Sequence, residues 1–316
     1  MRVLVTGAAG FVGLNIVAEL LARGCDVVAA DLAAPPAGPD GWACRWARLD
    51  VRDAAAVERL FDEARPEAVA HGAAVTAGAE RERRDAAGIV AVNLQGTLNA
   101  LAAAARTRPR RFLFLSSSSI YGENGYDDLP LDEGRTHPVP ETLYAISKYA
   151  GERAALRARS LHGLDVVCAR LSAAFGPWER DTGLRDTLSG PYQATLIAQG
   201  GGEAVLEREG WRDWVYGKDV ASAVATLLEA ERPRHPVYNV GPGEPWLVAD
   251  WCRRLQARFP GFRWRIGAPA NVLLHAARDR NPLGIARLRD EFGWRPRFGL
   301  DAAFEDYMDW LRGRTA

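Results

Sequence analysis

Tyr144 and Lys148 stand four residues apart in the stretch Tyr144-Ala-Ile-Ser-Lys148. On a helix that spacing places the phenol and the ammonium on one face. A neighbouring ammonium favours the phenolate and draws a hydroxyl of reference pKa about 10 toward neutral pH. Tyr144 is therefore a candidate general base for removing a proton from an alcohol, with Lys148 as its cationic partner. Composition sharpens the point, because the chain writes thirty-eight of its forty basic residues as arginine and only Lys148 and Lys218 as lysine. With 8 tyrosines in 316 residues, roughly 0.05 Tyr-x-x-x-Lys pairs are expected by chance. Upstream, the serine run Ser116 to Ser119 follows an apolar, strand-like segment and could supply a hydroxyl to bind the reacting oxygen.

A second group of residues could hold a cofactor. The β-branched run Arg2 to Thr6 predicts a strand buried on both faces, and Gly7, Gly10 and Gly13 follow it directly, before a helical pattern from Leu14 to Arg23. Strand, glycine turn and helix bring backbone N–H groups and a helix N-terminus against a pyrophosphate. Phe11 and Val12, inside the turn, belong to the same candidate site. A second predicted strand, Asp26 to Ala30, ends at Asp31, whose carboxylate suits adenosine ribose hydroxyls and repels a 2′-phosphate; no arginine follows it, so NAD is favoured over NADP.

The elements that must position these groups alternate. Asp53 caps a predicted helix running to Ala64, Ala68 to Ala70 is a short strand, and the small residues after His71, Ala73 among them, would let backbone lie close to a cofactor. His71 has no assigned chemistry. A helix is predicted from Asp85 to Arg106, after the charge run Arg81 to Asp85, with Asn93 and Gly96 as poor helix formers that serve packing or a hydrogen bond. Strands at Arg111 to Leu115 and Asp165 to Arg170 flank the predicted catalytic helix Glu141 to His162. This alternation predicts an α/β fold, a Rossmann-type doubly wound parallel sheet. Residues 1–171 form the expected NAD-binding domain, with 211–243 returning to it, and 172–316 form mainly a smaller, interleaved substrate-binding domain.

Forty acidic residues balance the forty basic ones, so no broad attraction to nucleic acid or membrane is expected. Cys25, Cys44, Cys168 and Cys252 are widely spaced and read as reduced thiols of a cytoplasmic protein. The N-terminus enters a strand at once rather than a signal-peptide pattern, and no apolar run reaches the roughly 20 residues of a membrane span. No His/Cys cluster has metal-ligand spacing, so no metal is expected.

Taken with Asp50-Val51, Asn93 with Gly96-Thr97, Tyr121-Gly122, Arg212-Asp-Trp-Val-Tyr-Gly-Lys-Asp-Val220, Val237-Tyr-Asn-Val-Gly241 and Phe292-Gly-Trp294, these motifs resemble the extended short-chain dehydrogenase/reductase family, specifically its NAD-dependent epimerase/dehydratase group. The resemblance runs over nearly the full length. It implies that Ser117 hydrogen-bonds the substrate hydroxyl, that Tyr144 takes its proton, and that Lys148 lowers the tyrosine pKa and holds the nicotinamide ribose. It adds Asp50, Val51 and Asn93 to the cofactor residues, and Ser118 and Arg212 to the substrate residues. It also implies a homodimer.

Departures from the family pattern bear on the reaction. Ser118 and Ser119 stand where the family's dehydratases and decarboxylases usually carry an acid, so elimination is disfavoured. Ala173 replaces an asparagine of many nucleotide-sugar epimerases, and the segment Asp279 to Leu283 is shorter than the family's second arginine loop, leaving Arg278 or Arg280 as its replacement. These departures weaken the case for a nucleotide diphosphate and leave a smaller sugar, sugar acid or sugar phosphate open. The expected activity is NAD-dependent oxidation of a carbohydrate hydroxyl within a sugar or nucleotide-sugar epimerase cycle. A net dehydrogenase of a sugar or sugar acid is the alternative, and a non-catalytic NAD-binding sensor the more remote one.

Overall fold

The computed structural model describes residues 1–127, 129–274 and 278–315. Seven parallel strands form the main sheet: β1 (Arg2–Thr6), β2 (Asp26–Asp31), β3 (Arg45–Arg48), β4 (Ala68–His71), β5 (Arg111–Ser117), β6 (Val166–Leu171) and, after intervening short strands, β11 (Val237–Val240). Their order is β11-β6-β5-β4-β1-β2-β3. The central strands are buried along both faces, as their continuous apolar sequences require. Chain direction across the sheet reverses between β1 and β4, and ligands of such sheets bind beyond the carboxyl ends at that switch point. Register lines these ends up: Thr6 pairs with Ala30 and His71, His71 with Phe114, and Ser117 with Leu171.

Helices cover both faces. On one, α1 (Phe11–Ala22) packs against α7 (Gly217–Glu229); Ile16, Val17, Leu20, Val224 and Leu228 join Val3 and Val5 in the core. On the other, α2 (Ala54–Ala64), α4 (Gly96–Thr107) and α5 (Leu143–His162) cover Leu4, Val69, Phe112 and Phe114. The predicted cap at Asp53 is present, its carboxylate accepting from Ala56 N. The predicted helix from Asp85 begins instead at Ala79: α3 (Ala79–Val90) carries Glu80 and Glu82 in its first turn, where acids favour a helix N-terminus, and the charge run is its exposed face. Asp85 departs from helical geometry, and a π-helical turn, Ala91–Gln95, joins α3 to α4. By length and hydropathy alone this run, Ala79–Thr107, could cross a membrane. In the fold it packs on α2 and α5.

The remaining elements build the second lobe. Short strands β7 (Ala173–Phe175) and β10 (Trp214–Tyr216) pair, as do β8 (Glu203–Leu206) with β13 (Arg263–Ile266) and β9 (Trp211–Arg212) with β12 (Trp246–Leu247). With α6 (Gly190–Gln199), α8 (Val248–Arg258) and α10 (Leu300–Thr315) they enclose an aromatic core in which Trp251 meets Phe175, Trp246, Phe304 and Tyr307. Helix α9 (Ala286–Phe292) lies within the expected substrate region, yet Leu288 and nearby Trp294 pack into the core of the main sheet. The sequence patterns did not announce β3, α6, β8, β13 or α9.

Candidate active site

A cleft of about 620 Å³ runs along the carboxyl edge of the main sheet. Its cofactor end starts at the glycine turn. Gly7 has φ +71°, and a Cβ there would sit 2.8 Å from the backbone of Gly72 and Ala73. At Gly13 a Cβ would lie 2.0 Å from the Gly7 carbonyl. The turn therefore closes on its own helix only with hydrogen at these positions. Gly10, Phe11, Val12 and Gly13 line the cleft at the start of α1, whose first-turn N–H groups have no intrahelical acceptor. Asp31 ends β2 on the same wall; its Oδ2 accepts from Ala9 N at 2.9 Å and its Oδ1 from Ala33 N. The carboxylate thus closes the glycine turn while remaining on the cleft. A pyrophosphate at the start of α1 and a ribose at Asp31 fit this cradle, the arrangement that NAD requires.

Asp50, Val51 and Ala73 also line the cleft. The Asp50 carboxylate is held by Arg52, which keeps its pKa low, and the Val51 carbonyl accepts from Asn99. Asn93, which the resemblance places among the cofactor residues, is buried and does not line the cleft. Its carboxamide accepts from Val75 N at 2.8 Å and donates to Val75 O and Ser147 Oγ. With these partners Asn93 ties the segment after β4 to α5, the packing and hydrogen-bonding role its residue type suggested. His71 is structural as well: it sits between Thr6 and Thr97 hydroxyls, and burial pushes its pKa down to about 3.

At the reaction end, Thr142 caps α5 and Tyr144 lies in its first turn. The Ser117 and Thr76 side chains act on the Tyr144 phenol and hold its pKa down. Burial still raises the phenol pKa, opposed by those side chains and by the charges of Arg185 and Arg280. Lys148 lies one turn further along α5, with Nζ 4.3 Å from the Phe114 ring centre. Burial pushes its pKa down to about 8, while Cys168 and Glu152 act the other way. Here the sequence expectation needs adjusting. The groups that most favour the phenolate in this structure are Ser117, Thr76 and the two arginines, while the Lys148 ammonium lies over the Phe114 ring.

The substrate end carries two guanidinium groups. Arg212 ends β9 on the cleft wall, and burial together with the charge of Arg280 lowers its pKa to about 10. Arg280 donates from Nη1 to Ser118 Oγ at 3.0 Å, while its buried Nε has no partner among the described residues. Of the two arginines left open by sequence, Arg280 enters the cleft, and Arg278 stacks on Tyr126 with its guanidinium 4.0 Å from the ring centre. Thr76 and Arg185 were missed by the sequence reading. Both lie in loops, and Thr76 follows the carboxyl end of β4, where the switch-point rule would have directed attention.

Every sequence-predicted site residue except Asn93 thus borders one cleft, with a serine, a tyrosine and a lysine at one end of a dinucleotide cradle. The model of the NAD dependent epimerase/dehydratase family matches residues 3–241. The chain belongs to this family. It is an NAD-dependent enzyme of that kind. Over its whole length it is 30% identical to a dTDP-glucose 4,6-dehydratase of an Actinoplanes species, covering 99% of that protein. It is 28% identical to UDP-glucuronate 4-epimerase 3 of Arabidopsis thaliana, over 98% of this chain and 76% of the relative. Among solved structures, the Thermus thermophilus UDP-glucose 4-epimerase in complex with NAD superposes with a TM-score of 0.83 at 31% identity, covering 99% of each chain.

Proposed function

We propose that this enzyme interconverts epimers of a nucleotide-diphosphate sugar. The observation that carries the reading is the pair Arg212 and Arg280, two guanidinium groups in the cleft of Ser117, Tyr144 and Lys148 whose pKa values burial lowers, with the charge of Arg280 adding to the effect at Arg212. Buried like charges are costly unless an anion lies against them, and arginine suits phosphate oxygens. This reading restores the diphosphate that the shortened segment at Asp279 to Leu283 had placed in question. Relatives acting on UDP- and dTDP-sugars support it.

In the forward step Ser117 would orient the sugar hydroxyl and the Tyr144 phenolate, favoured by Ser117, Thr76, Arg185 and Arg280, would take its proton, with the Lys148 ammonium one turn further along α5. NAD held by the glycine turn and Asp31 would supply the acceptor and donor for the hydride of that carbon. Rotation of the keto sugar would present its other face, and Tyr144 would give the proton back. Ser118 and Ser119, both on the cleft, provide hydroxyls and no carboxylate at the place an elimination would use one.

The test is the NAD content of freshly purified, denatured protein, followed by incubation with UDP-glucose, UDP-galactose and UDP-glucuronate. About one NAD per chain and isomerisation without net NADH are expected. Net NADH release would instead support the dehydrogenase reading, which the loss of the amide at Ala173 favours. We also propose a cytoplasmic homodimer through α4 and α5. The exposed Leu98 and Ile146 on these helices support it, and sedimentation at micromolar concentration tests it.

A further inference from the structure

Behind the cleft a line of buried polar side chains runs from the catalytic elements to the substrate arginine. Glu152 lies one turn beyond Lys148 on α5 and is fully buried. Its Oε2 accepts from Ser116 Oγ at 2.7 Å, the residue before Ser117, and from Arg170 Nε; its Oε1 accepts from Arg170 Nη2 at 2.7 Å. Arg170 Nη1 donates to the Tyr121 hydroxyl at 2.9 Å, and that hydroxyl donates to Asn239 Oδ1 at 2.9 Å. Asn239 Nδ2 in turn donates to the carbonyls of Leu131 and Gly284. Leu131 N donates to Pro282 O, Gly284 N to Leu131 O, and Leu283 N to Asp213 Oδ2. The segment fixed at this far end begins at Pro282, two residues after Arg280, and Asp213 immediately follows Arg212.

Three features argue that this line sets position rather than stability alone. A buried ion pair is a weak source of stability, since apolar groups of the same volume serve as well. Its bonds are directional and leave few alternatives, as a satisfied buried network does. It also joins separate elements, α5, β5, β6, β11 and the two loops around Leu131 and Pro282, whose relative placement no single helix or strand fixes.

We propose that Tyr121 and Asn239, together with the Glu152–Arg170 pair, are positioning residues that hold Arg280 at a set separation from Ser117, Tyr144 and Lys148. The inference rests on the assignment of Arg280 to the substrate anion made above. The line has a second consequence at its catalytic end. The groups facing Lys148 are Glu152 on its own helix, Cys168 on β6, His71 on β4 and the Phe114 ring on β5. His71 stays neutral and the Cys168 thiol is raised well above its usual value, so Glu152, one turn further along α5, is the carboxylate among these groups that favours the Lys148 ammonium against the larger effect of burial.

Tyr121→Phe removes one hydroxyl and keeps the ring that packs on Leu131 and Leu283. With the NAD-loaded enzyme, calorimetric titration with UDP should show affinity weakened about three- to tenfold, and kcat for nucleotide-sugar isomerisation should fall comparably, as loss of a buried hydrogen bond predicts. NAD content should not change. Unchanged UDP affinity and kcat would overturn the proposal, as would loss of NAD alongside them, which would indicate general loosening. Glu152→Gln should move the alkaline limb of the kcat profile to lower pH, because Lys148 then loses its proton earlier; an unmoved limb would overturn the role at the catalytic end. Wild-type protein that binds no UDP would remove the nucleotide-sugar reading itself and this inference with it, an outcome separate from any difference between variant and wild type.

Discussion

At Tyr144 and Lys148 burial opposes charge on both side chains, raising the phenol and lowering the ammonium. Tyr144→Phe removes the acid–base hydroxyl and keeps the ring. Turnover should fall by about a hundred- to ten-thousand-fold while NAD content is retained, as steady-state rates and cofactor release on denaturation would show. Lys148 yields a prediction with a sign. Its pKa is 10.5 in an unfolded chain and about 8 in the fold, so the folded state disfavours the proton. Below pH about 8 both states are protonated and the cost is present in full, about 3 kcal/mol. As pH rises from about 8 to 10.5 the unfolded chain holds more protons and stability increases. Lys148→Met should therefore make NAD-free protein harder to unfold in urea at pH 7 while abolishing turnover. A destabilised variant would show that the ammonium is better solvated by the cleft than its burial implies.

The glycine turn and α1 form the element proposed to hold the cofactor. Gly13→Ala would place a methyl 2.0 Å from the Gly7 carbonyl, in backbone that cannot yield cheaply. The variant should lose about 1–3 kcal/mol or more in denaturant unfolding and copurify with little NAD. Wild-type NAD content in that variant would mean that the turn does not hold the pyrophosphate. The same scale explains where the sequence reading slipped. Asp53 as a cap and the apolar runs of β1, β5 and β6 act through local chemistry and were legible. The π-helical turn at Ala91–Gln95 was not. It coincides with the Asn93 carboxamide clasping Val75, a contact between positions 18 residues apart.

Across the whole molecule, the dinucleotide-binding sheet is finished by the distal half of the chain. β11 supplies its edge strand, α7 covers α1, and Leu288 and Trp294 complete the same core. Residues 1–171 expressed alone should then expose the apolar face that α7 covers and fail to unfold cooperatively. A sharp urea transition with bound NAD in that fragment would show the sheet to be self-sufficient. The aromatic core of the second lobe is a separate stability reservoir. Trp251→Ala there should cost about 3–5 kcal/mol, read as a lowered urea midpoint.

By itself the sequence determined the doubly wound order of strands and helices, and it singled out the glycine turn at Gly7 to Gly13, Asp31, and the trio Ser117, Tyr144 and Lys148, which the structure brings to one cleft. Each of these is written in residues close enough in the chain for spacing to carry the information. Only the tertiary structure decided that Thr76 and Arg185 face the phenol, that Arg280 rather than Arg278 enters the cleft, and that Asn93 stays out of it. Those outcomes depend on which loops meet at the carboxyl edge of the sheet. Loop placement is set by long-range contacts such as Asn239 with Gly284 and Asp213 with Leu283, for which periodicity and propensity hold no signal.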